Sequence, residues 1–216
     1  MPMKKSPFPA EDPLYPSSDG QPLAENDWQL HAILDAVAVL DVHFEERPDV
    51  YVSGDLLIYY EEGEPRQCVA PDVLVVFGVP RRRRMVYKLW EEGKTPDFVL
   101  EVASENTWRQ DEGPKRTLYA ELGVREYWLF DPREEYFEAP LRGLTLADGR
   151  YRPLPAKVEG GRRVFRSQVL GLDLRLEDGR LCFHDPATGK DLRTLRSAEA
   201  RIAELESRLR EVDSLR

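Results

Sequence analysis

The sequence predicts an α/β domain: a central mixed β-sheet flanked by helices, with a small β extension and a C-terminal amphipathic or coiled-coil helix. Three observations carry this. Up to residue 132 the chain reads in the order helix, strand, strand, strand, helix, strand. The last two strands flank a helix, and such strands run parallel through a right-handed crossover. From about residue 133 the pattern changes to short strands punctuated by Gly turns, as in "DGRYRPLP" and "GGRRVFRSQVLGLDLRLEDGRLCFHDPATG".

Residues 1–24 are rich in Pro, Ser and Asp and read as an extended arm. From Trp28 to about Glu46, Leu30, Ile33, Leu34, Val37, Leu40 and Phe44 recur at helical spacing, and Pro48 stops that helix. "VYVSGDLLIYY" reads as a strand and "EEGEPRQ" as its turn. "VAPDVLVVF" is a strand opened by a proline, and "GVPRRRRMVYKLWEEGKT" is a basic loop. "PDFVLEVAS" is the next strand. A helix follows from about Thr107 to Leu122, with Ser104 or Asn106 as N-cap and Gly123 as its stop. "REYWLFDP" is the fourth strand. The domain therefore spans residues 25–190, and residues 191–216 form a third kind of segment. There Leu195, Ala198, Ile202, Leu205, Leu209 and Val212 are spaced 3, 4, 3, 4 and 3 residues apart, with charged flanks. That is a heptad seam, which serves either a homodimer through the C-terminal helix or an amphipathic helix packed on its own domain.

Composition narrows the function classes. Of 216 residues, 41% are hydrophobic and 33% charged, as in a globular soluble protein. No apolar run approaches the roughly 20 residues of a membrane span, and "MPMKKSPFPAEDPLYPSS" lacks the apolar core of a signal peptide. Cys68 and Cys182 are far apart and lack metal-ligand spacing, which argues against a disulfide framework or a zinc site. These features predict a cytoplasmic protein. The net charge of −9 looks wrong for a nucleic-acid partner, but the acidity is local. Residues 1–65 hold 3 Lys or Arg and 14 Asp or Glu; the remainder is nearly balanced, with 28 and 26. No glycine-rich phosphate loop is present, so a nucleotide-binding enzyme is disfavoured.

The strand "DFVLEVA" carries an acid, Glu101, inside an apolar run. A buried unpaired carboxylate is costly, so it needs a cation partner, a metal or a proton. The preceding strand offers a second acid, Asp72. Either alone reads as a strand or turn cap or half of a salt bridge. Two on neighbouring strands about 4.8 Å apart repel unless a cation lies between them, and hard cations such as Mg2+ prefer carboxylate and water oxygens. Lys115, on the helix after Glu101, is a candidate third member, with Asp111 four residues earlier on the same helical face. On spacing alone that pair is also an ordinary surface ion pair.

"PD" on one strand, "PDFVLEVAS" on the next, then Thr, Asp and Lys ahead of "LYAELGVREYWLFDP" together resemble the Uma-two family. That family is classed with endonucleases of the restriction-endonuclease-like, PD-(D/E)XK superfamily. The resemblance covers roughly residues 24–180 and is most specific over 69–77 and 96–132. It implies that Asp72 is the "PD" acid and Glu101 the acid of the (D/E)XK element. The usual lysine position holds Ala103, and the family's shifted lysine corresponds to Lys115. A polar residue from the first helix commonly joins such sites; His31 or Glu25 stands in that region. "SENT" replaces the "SPST" or "SKST" of relatives.

The resemblance implies metal-dependent hydrolysis of DNA phosphodiesters, with Mg2+, or Mn2+, held by Asp72 and Glu101. Lys115 would stabilise charge at phosphorus. Arg81, Arg82, Arg83, Arg84 and Lys88 would contact the DNA backbone, giving affinity without sequence choice. As a structural alternative they form a solvated charged loop. The competing reading of the whole chain is a catalytically silent nucleic-acid-binding or oligomeric assembly protein on the same fold.

Overall fold

The computed structural model describes residues 12–18, 20 and 22–192. Helix α1 (Asp27–His43) begins where Asn26 accepts a hydrogen bond from the Gln29 N–H, and it buries Ile33, Ala36, Val39 and Leu40. Strands β1 (Val50–Ser53) and β2 (Ile58–Tyr59) follow, then β3 (Cys68–Val69) and β4 (Val73–Phe77). After β5 (Tyr87–Lys88) and the single turn α2 (Leu89–Glu92) comes β6 (Phe98–Val102). Helices α3 (Trp108–Glu112) and α4 (Pro114–Glu121) connect it to β7 (Glu126–Phe130).

The central sheet has the order β1-β4-β6-β7-β8-β9, closed by the hairpin β8 (Leu141–Ala147) and β9 (Arg150–Pro153). Strands β6 and β7 pair parallel through the helical crossover, as the sequence order predicts, and the other neighbours are antiparallel. The extension is a second antiparallel sheet, β10 (Ala156–Glu159), β11 (Arg162–Arg166), β12 (Asp173–Glu177), β13 (Arg180–Asp185) and β14 (Lys190–Asp191). Alternation along the central strands divides the core in two. Val73, Val75, Phe98, Leu100 and Val102 face α1 and the second sheet's Phe165, Leu174 and Phe183. Leu74, Val76, Val99 and Ala103 face the other way, toward Tyr119 of α4 and Tyr127.

Two predicted continuous strands and one helix are interrupted, each for a local reason. The run 50–60 breaks at Gly54–Asp55, where Asp55 takes φ +49° and its N–H donates to the Pro71 carbonyl at 3.0 Å. The run 69–77 breaks at Ala70–Pro71–Asp72, where proline contributes no donor to the ladder. The predicted helix 107–122 divides at Gly113, and Pro114 restarts it at a first position that needs no N–H. Its N-cap is Thr107, without a side-chain capping bond; Ser104 Oγ instead lies 2.7 Å from Thr107 Oγ1. Gly123, at φ +82°, ends α4.

The described part of the N-terminal arm is packed. Tyr15 is buried against Tyr59 and Trp90, and the Tyr59 hydroxyl donates to the Pro16 carbonyl at 2.7 Å. Cys68 and Cys182 are both half-buried, and no helix among the described residues is long and apolar enough to cross a membrane. The heptad seam, and the homodimer expected from it, lie outside the described residues.

Gly54 is the tightest contact in this arrangement. A Cβ there would sit 2.5 Å from the Asp72 carbonyl oxygen and 2.8 Å from Val37 Cγ2. Gly54→Ala should therefore destabilise the protein by about 1–3 kcal/mol, the usual range for overpacking. Urea unfolding checks this, and an unchanged midpoint would show that the 54–55 and 70–72 segments are not held together as described.

Candidate active site

Strands β4 and β6 pair with Val73 opposite Leu100 and Leu74 opposite Val99. Carrying that register one residue past the start of β4 sets Asp72 directly opposite Glu101. Residues so opposed project to the same face, here the face covered by α4. The two are joined through the backbone as well. Asp72 Oδ2 accepts from the Val102 N–H at 2.7 Å, and Glu101 Oε2 lies 3.4 Å from the Asp72 N–H that donates to it. Glu101 is 1% exposed; Asp72 is half-buried.

The helical crossover closes over this pair. Lys115, the second residue of α4, places Nζ 3.0 Å from Glu101 Oε2 and 2.9 Å from Asp111 Oδ1. The Asp111 contact is a close ion pair four residues apart on the helical crossover. The Tyr119 hydroxyl donates to Glu101 Oε1 at 2.7 Å. Thus four sequence candidates, Asp72, Glu101, Asp111 and Lys115, come together.

Three carboxyl groups surround one ammonium, and the charge states respond. Burial, and next the Glu101 charge, push Asp111 up to about 7, with Lys115 opposing. Burial and then Glu101 also hold Asp72 well above the usual carboxylate range. Burial by itself would lower Lys115, but Glu101, Asp111 and Asp72 outweigh it and keep the ammonium charged above its ordinary range. Burial and Glu101 raise the Tyr119 hydroxyl, so it remains a donor. The three carboxyl groups offer oxygen ligands, which suit a hard divalent cation. With three acids against one base, the cluster has negative charge left for such a cation to neutralise. Among the described residues no three His, Cys, Asp or Glu side chains form a ready-made metal cage. Mg2+ does not need one, since it usually takes one or two carboxylates and completes its shell with waters and substrate phosphate.

A family model described as "Putative restriction endonuclease", Uma2, matches residues 11–177. The chain belongs to the Uma2 family. A crystal structure of "a putative nuclease belonging to DUF820" from Anabaena variabilis ATCC 29413 is similar at 13% identity, with TM-score 0.45, covering 62% of this chain and 72% of that one. No curated protein matches the chain. Membership in Uma2 makes the chain a restriction-endonuclease-like protein and accords with a nuclease function in general.

The remaining candidates of this Uma2 chain lie elsewhere. Glu25 Oε2 accepts from the Asn106 N–H at 3.4 Å, tying the start of α1 to the loop after β6. His31 is exposed and lines a cleft of about 530 Å³ between α1 and the β12–β13 turn, on the sheet face away from Glu101. The basic loop leaves the far end of β4. Five strand residues separate it from Asp72, about 17 Å at the usual rise. Arg81 is bonded to Asp41 and to the Phe44 carbonyl. Arg84, its side chain 1% exposed, grips both oxygens of Glu92 and lies 4.2 Å over the Tyr51 ring. Lys88 pairs with Asp12 and Glu91. Arg82 reaches Glu92 yet stays 58% exposed, and Arg83 is exposed.

Two residues near the site were not among the sequence candidates. Tyr119 is one, and it bonds Glu101 directly. Gln29 is buried, and its Nε2 donates to the Val102 carbonyl at 3.2 Å, so α1 is tied to β6, the strand that carries Glu101. The signal for Gln29 was present in "NDWQ": an N-cap Asn with Gln three residues on, the spacing of a capping box. Its side-chain oxygen accepts the Glu25 N–H at 2.8 Å.

The pH dependence of stability tests the charge assignment. An isolated aspartate titrates near 3.8, whereas Asp111 in the folded chain titrates near 7. Between those values the folded state binds more protons than the unfolded one. Unfolding free energy therefore falls as pH rises from about 4 to about 7. Asp72 contributes in the same direction. In chelator, urea midpoints of the parent chain should drop across this window. Asp111→Asn should flatten the slope by up to about 1.4 kcal/mol per pH unit, the value of one proton. Equal slopes in parent and variant would contradict the shift.

Proposed function

We propose that this chain is a divalent-metal-dependent endonuclease that hydrolyses phosphodiester bonds in DNA, acting in the cytoplasm. The observation that carries the reading is the meeting of Asp72, Glu101 and Lys115 at one end of paired strands, in a chain of the Uma2 family. Asp72 and Glu101 would hold Mg2+, or Mn2+ in its place. Bound there, the cation supplies a Lewis acid for the scissile phosphate and lowers the pKa of a coordinated water.

The chain's own residues do the rest. Lys115 carries a fixed positive charge beside Glu101 and offsets negative charge developing at phosphorus. Asp111 holds that ammonium from the α3 side. Tyr119 fixes the Glu101 carboxylate through Oε1. Of the basic loop, Arg82 and Arg83 are the members free enough to meet the DNA backbone. Arg81, Arg84 and Lys88 shape the loop that presents them. We retain the division into an arm (1–24) and an endonuclease-like domain (25–190) as part of the proposal; of the segment 191–216 expected to be a helix, Asp191 belongs to strand β14, and residues 193–216 lie outside the described residues.

A supercoiled plasmid incubated with Mg2+ or Mn2+ should be nicked or linearised, and chelator should stop the reaction. Glu101→Gln and Lys115→Met should each lower the rate by at least about 100-fold, as expected for loss of a group that stabilises transition-state charge. Both variants must retain the parent's circular dichroism. Cleavage that survives Glu101→Gln would remove the assigned site. Binding of DNA without cleavage by the parent chain, with either metal, would assign it to the catalytically silent class.

A further inference from the structure

We propose that Arg142 is a positioning residue of the site: by holding Glu112 it fixes helix α3, so that Asp111 stays against Lys115. Its place in the sheet motivates this. Glu101 pairs with Leu129 and Leu129 with Arg142, so Arg142 projects to the Glu101 face from two strands away, about 10 Å across the sheet. There its guanidinium lies 4.4 Å over the ring of the buried Phe137, and Nη2 pairs with the Glu112 carboxylate. Phe137 is itself held in place, because the Phe137 and Tyr136 amides both donate to Asp131 Oδ2. Arg142 Nε is buried without a hydrogen-bond partner among the described residues. A buried donor left unmet costs stability, so what this side chain contributes rests on the Glu112 contact and the ring.

What Arg142 holds is a helix that cannot hold itself. Helix α3 has five residues, and its N-cap Thr107 makes no side-chain capping bond. So short a helix is unstable alone, and its place is set by contacts with its surroundings. Trp108, at its start, stacks near Tyr136 with ring centroids 6.3 Å apart. The Tyr127 hydroxyl donates to the Asp111 carbonyl at 2.8 Å, and Arg142 grips the next residue, Glu112. Gly113 follows, between α3 and α4, with φ −113° and ψ −98°. Glycine restrains its own backbone little, so the chain alone does not set the angle between the two helices. The Asp111–Lys115 ion pair, at 2.9 Å, spans that glycine. Its far side is fixed by α4, where Lys115 also meets Glu101. On its near side Arg142 supplies the side-chain restraint next to the glycine, and releasing Glu112 would let Asp111 move away from the ammonium.

The Lys115 amine reports on this directly. In the folded full chain, an N-hydroxysuccinimide ester should acylate Lys115 slowly, because it is half-buried between two carboxylates, and the exposed Lys157 quickly. Arg142→Met and Glu112→Gln should each speed acylation of Lys115 at least about 5-fold through local loosening, with Lys157 unchanged and circular dichroism retained. The double variant should match the single ones, since both remove one contact. Equal Lys115 rates in the parent and in whichever variants fold would overturn the proposal. So would an equal speeding of Lys157, which would report a general loosening of the fold. That the placement serves catalysis rests on the nuclease reading. Where the parent cleaves plasmid, each variant should lower kcat at least about 10-fold with KM within about twofold, and an unchanged kcat would overturn the catalytic role. A parent that does not cleave would end the nuclease reading instead, and the acylation rates would still decide whether Arg142 positions Asp111.

Discussion

The opposition of Asp72 and Glu101 across β4 and β6 is the constraint on which the rest of the site depends. Each residue bonds to the other's strand: Asp72 to the Val102 amide, Glu101 to the Asp72 amide. Two carboxylates are thereby fixed on one face by backbone geometry, before any side-chain partner is considered. The interruptions around them then acquire a reason. Pro71 ends the preceding strand, so the Asp72 amide is released from a ladder and can point at Glu101. Gly54 lets the turn after β1 press on the Asp72 carbonyl, and the Asp55 amide bonds to Pro71. A continuous strand at either place would have paired these groups elsewhere.

Another strand acid in the same sheet shows what an inert solution looks like. Glu126 is equally buried, and its two oxygens accept from Trp128 Nε1, Ser167 Oγ and the amides of Gln168 and Val169. Four donors satisfy a carboxylate without any cation. Glu126 also joins the central sheet to the loop between β11 and β12, so its bonding is structural. Glu101 has a tyrosine, a lysine and one long amide contact. Its neighbours include two further acids that share the same single ammonium. The difference lies in the surroundings, and it separates a buried acid that completes a fold from one set among unbalanced charge.

How far the sequence discloses this depends on the range of the interaction. Alternation and helical period exposed the parallel β6–β7 crossover and the position of Glu101, because burial on a strand or helix face is written into local spacing. The pairing of Asp72 with Glu101 was legible because both acids interrupt apolar runs. The division of the 107–122 helix was only partly so: Gly113–Pro114 was visible, but the resulting placement of Lys115 depends on the crossover packing on Tyr127. Arg81 to Arg84 were least legible. Four adjacent arginines look like one basic patch, yet their partners Asp41 and Glu92 come from separate elements. No local pattern distinguishes an arginine that faces a phosphate from one that braces a loop. Gln29 failed for a related reason, since a capping glutamine and one reaching a strand 73 residues away look alike in sequence.

The broken helix supplies the last step. Had α3 and α4 been continuous, Asp111 and Lys115 would sit one turn apart on a straight cylinder, where an exposed pair of that spacing contributes only about 0.3–0.5 kcal/mol. The Gly113 break lets α4 begin anew over Glu101, so Lys115 faces two buried acids at once, from the first turn of its helix. The first turn is the positive end of a helix dipole, a poor place for an ammonium by itself. It is tolerated here because the surrounding carboxylates outweigh both that dipole and the cost of burial. The arrangement therefore gives up local stability to keep a cation and an excess of acids in one dry corner. Protons relieve that excess at low pH, when Asp111 is neutral. As pH rises through about 7 that proton leaves, and a divalent ion can take its place.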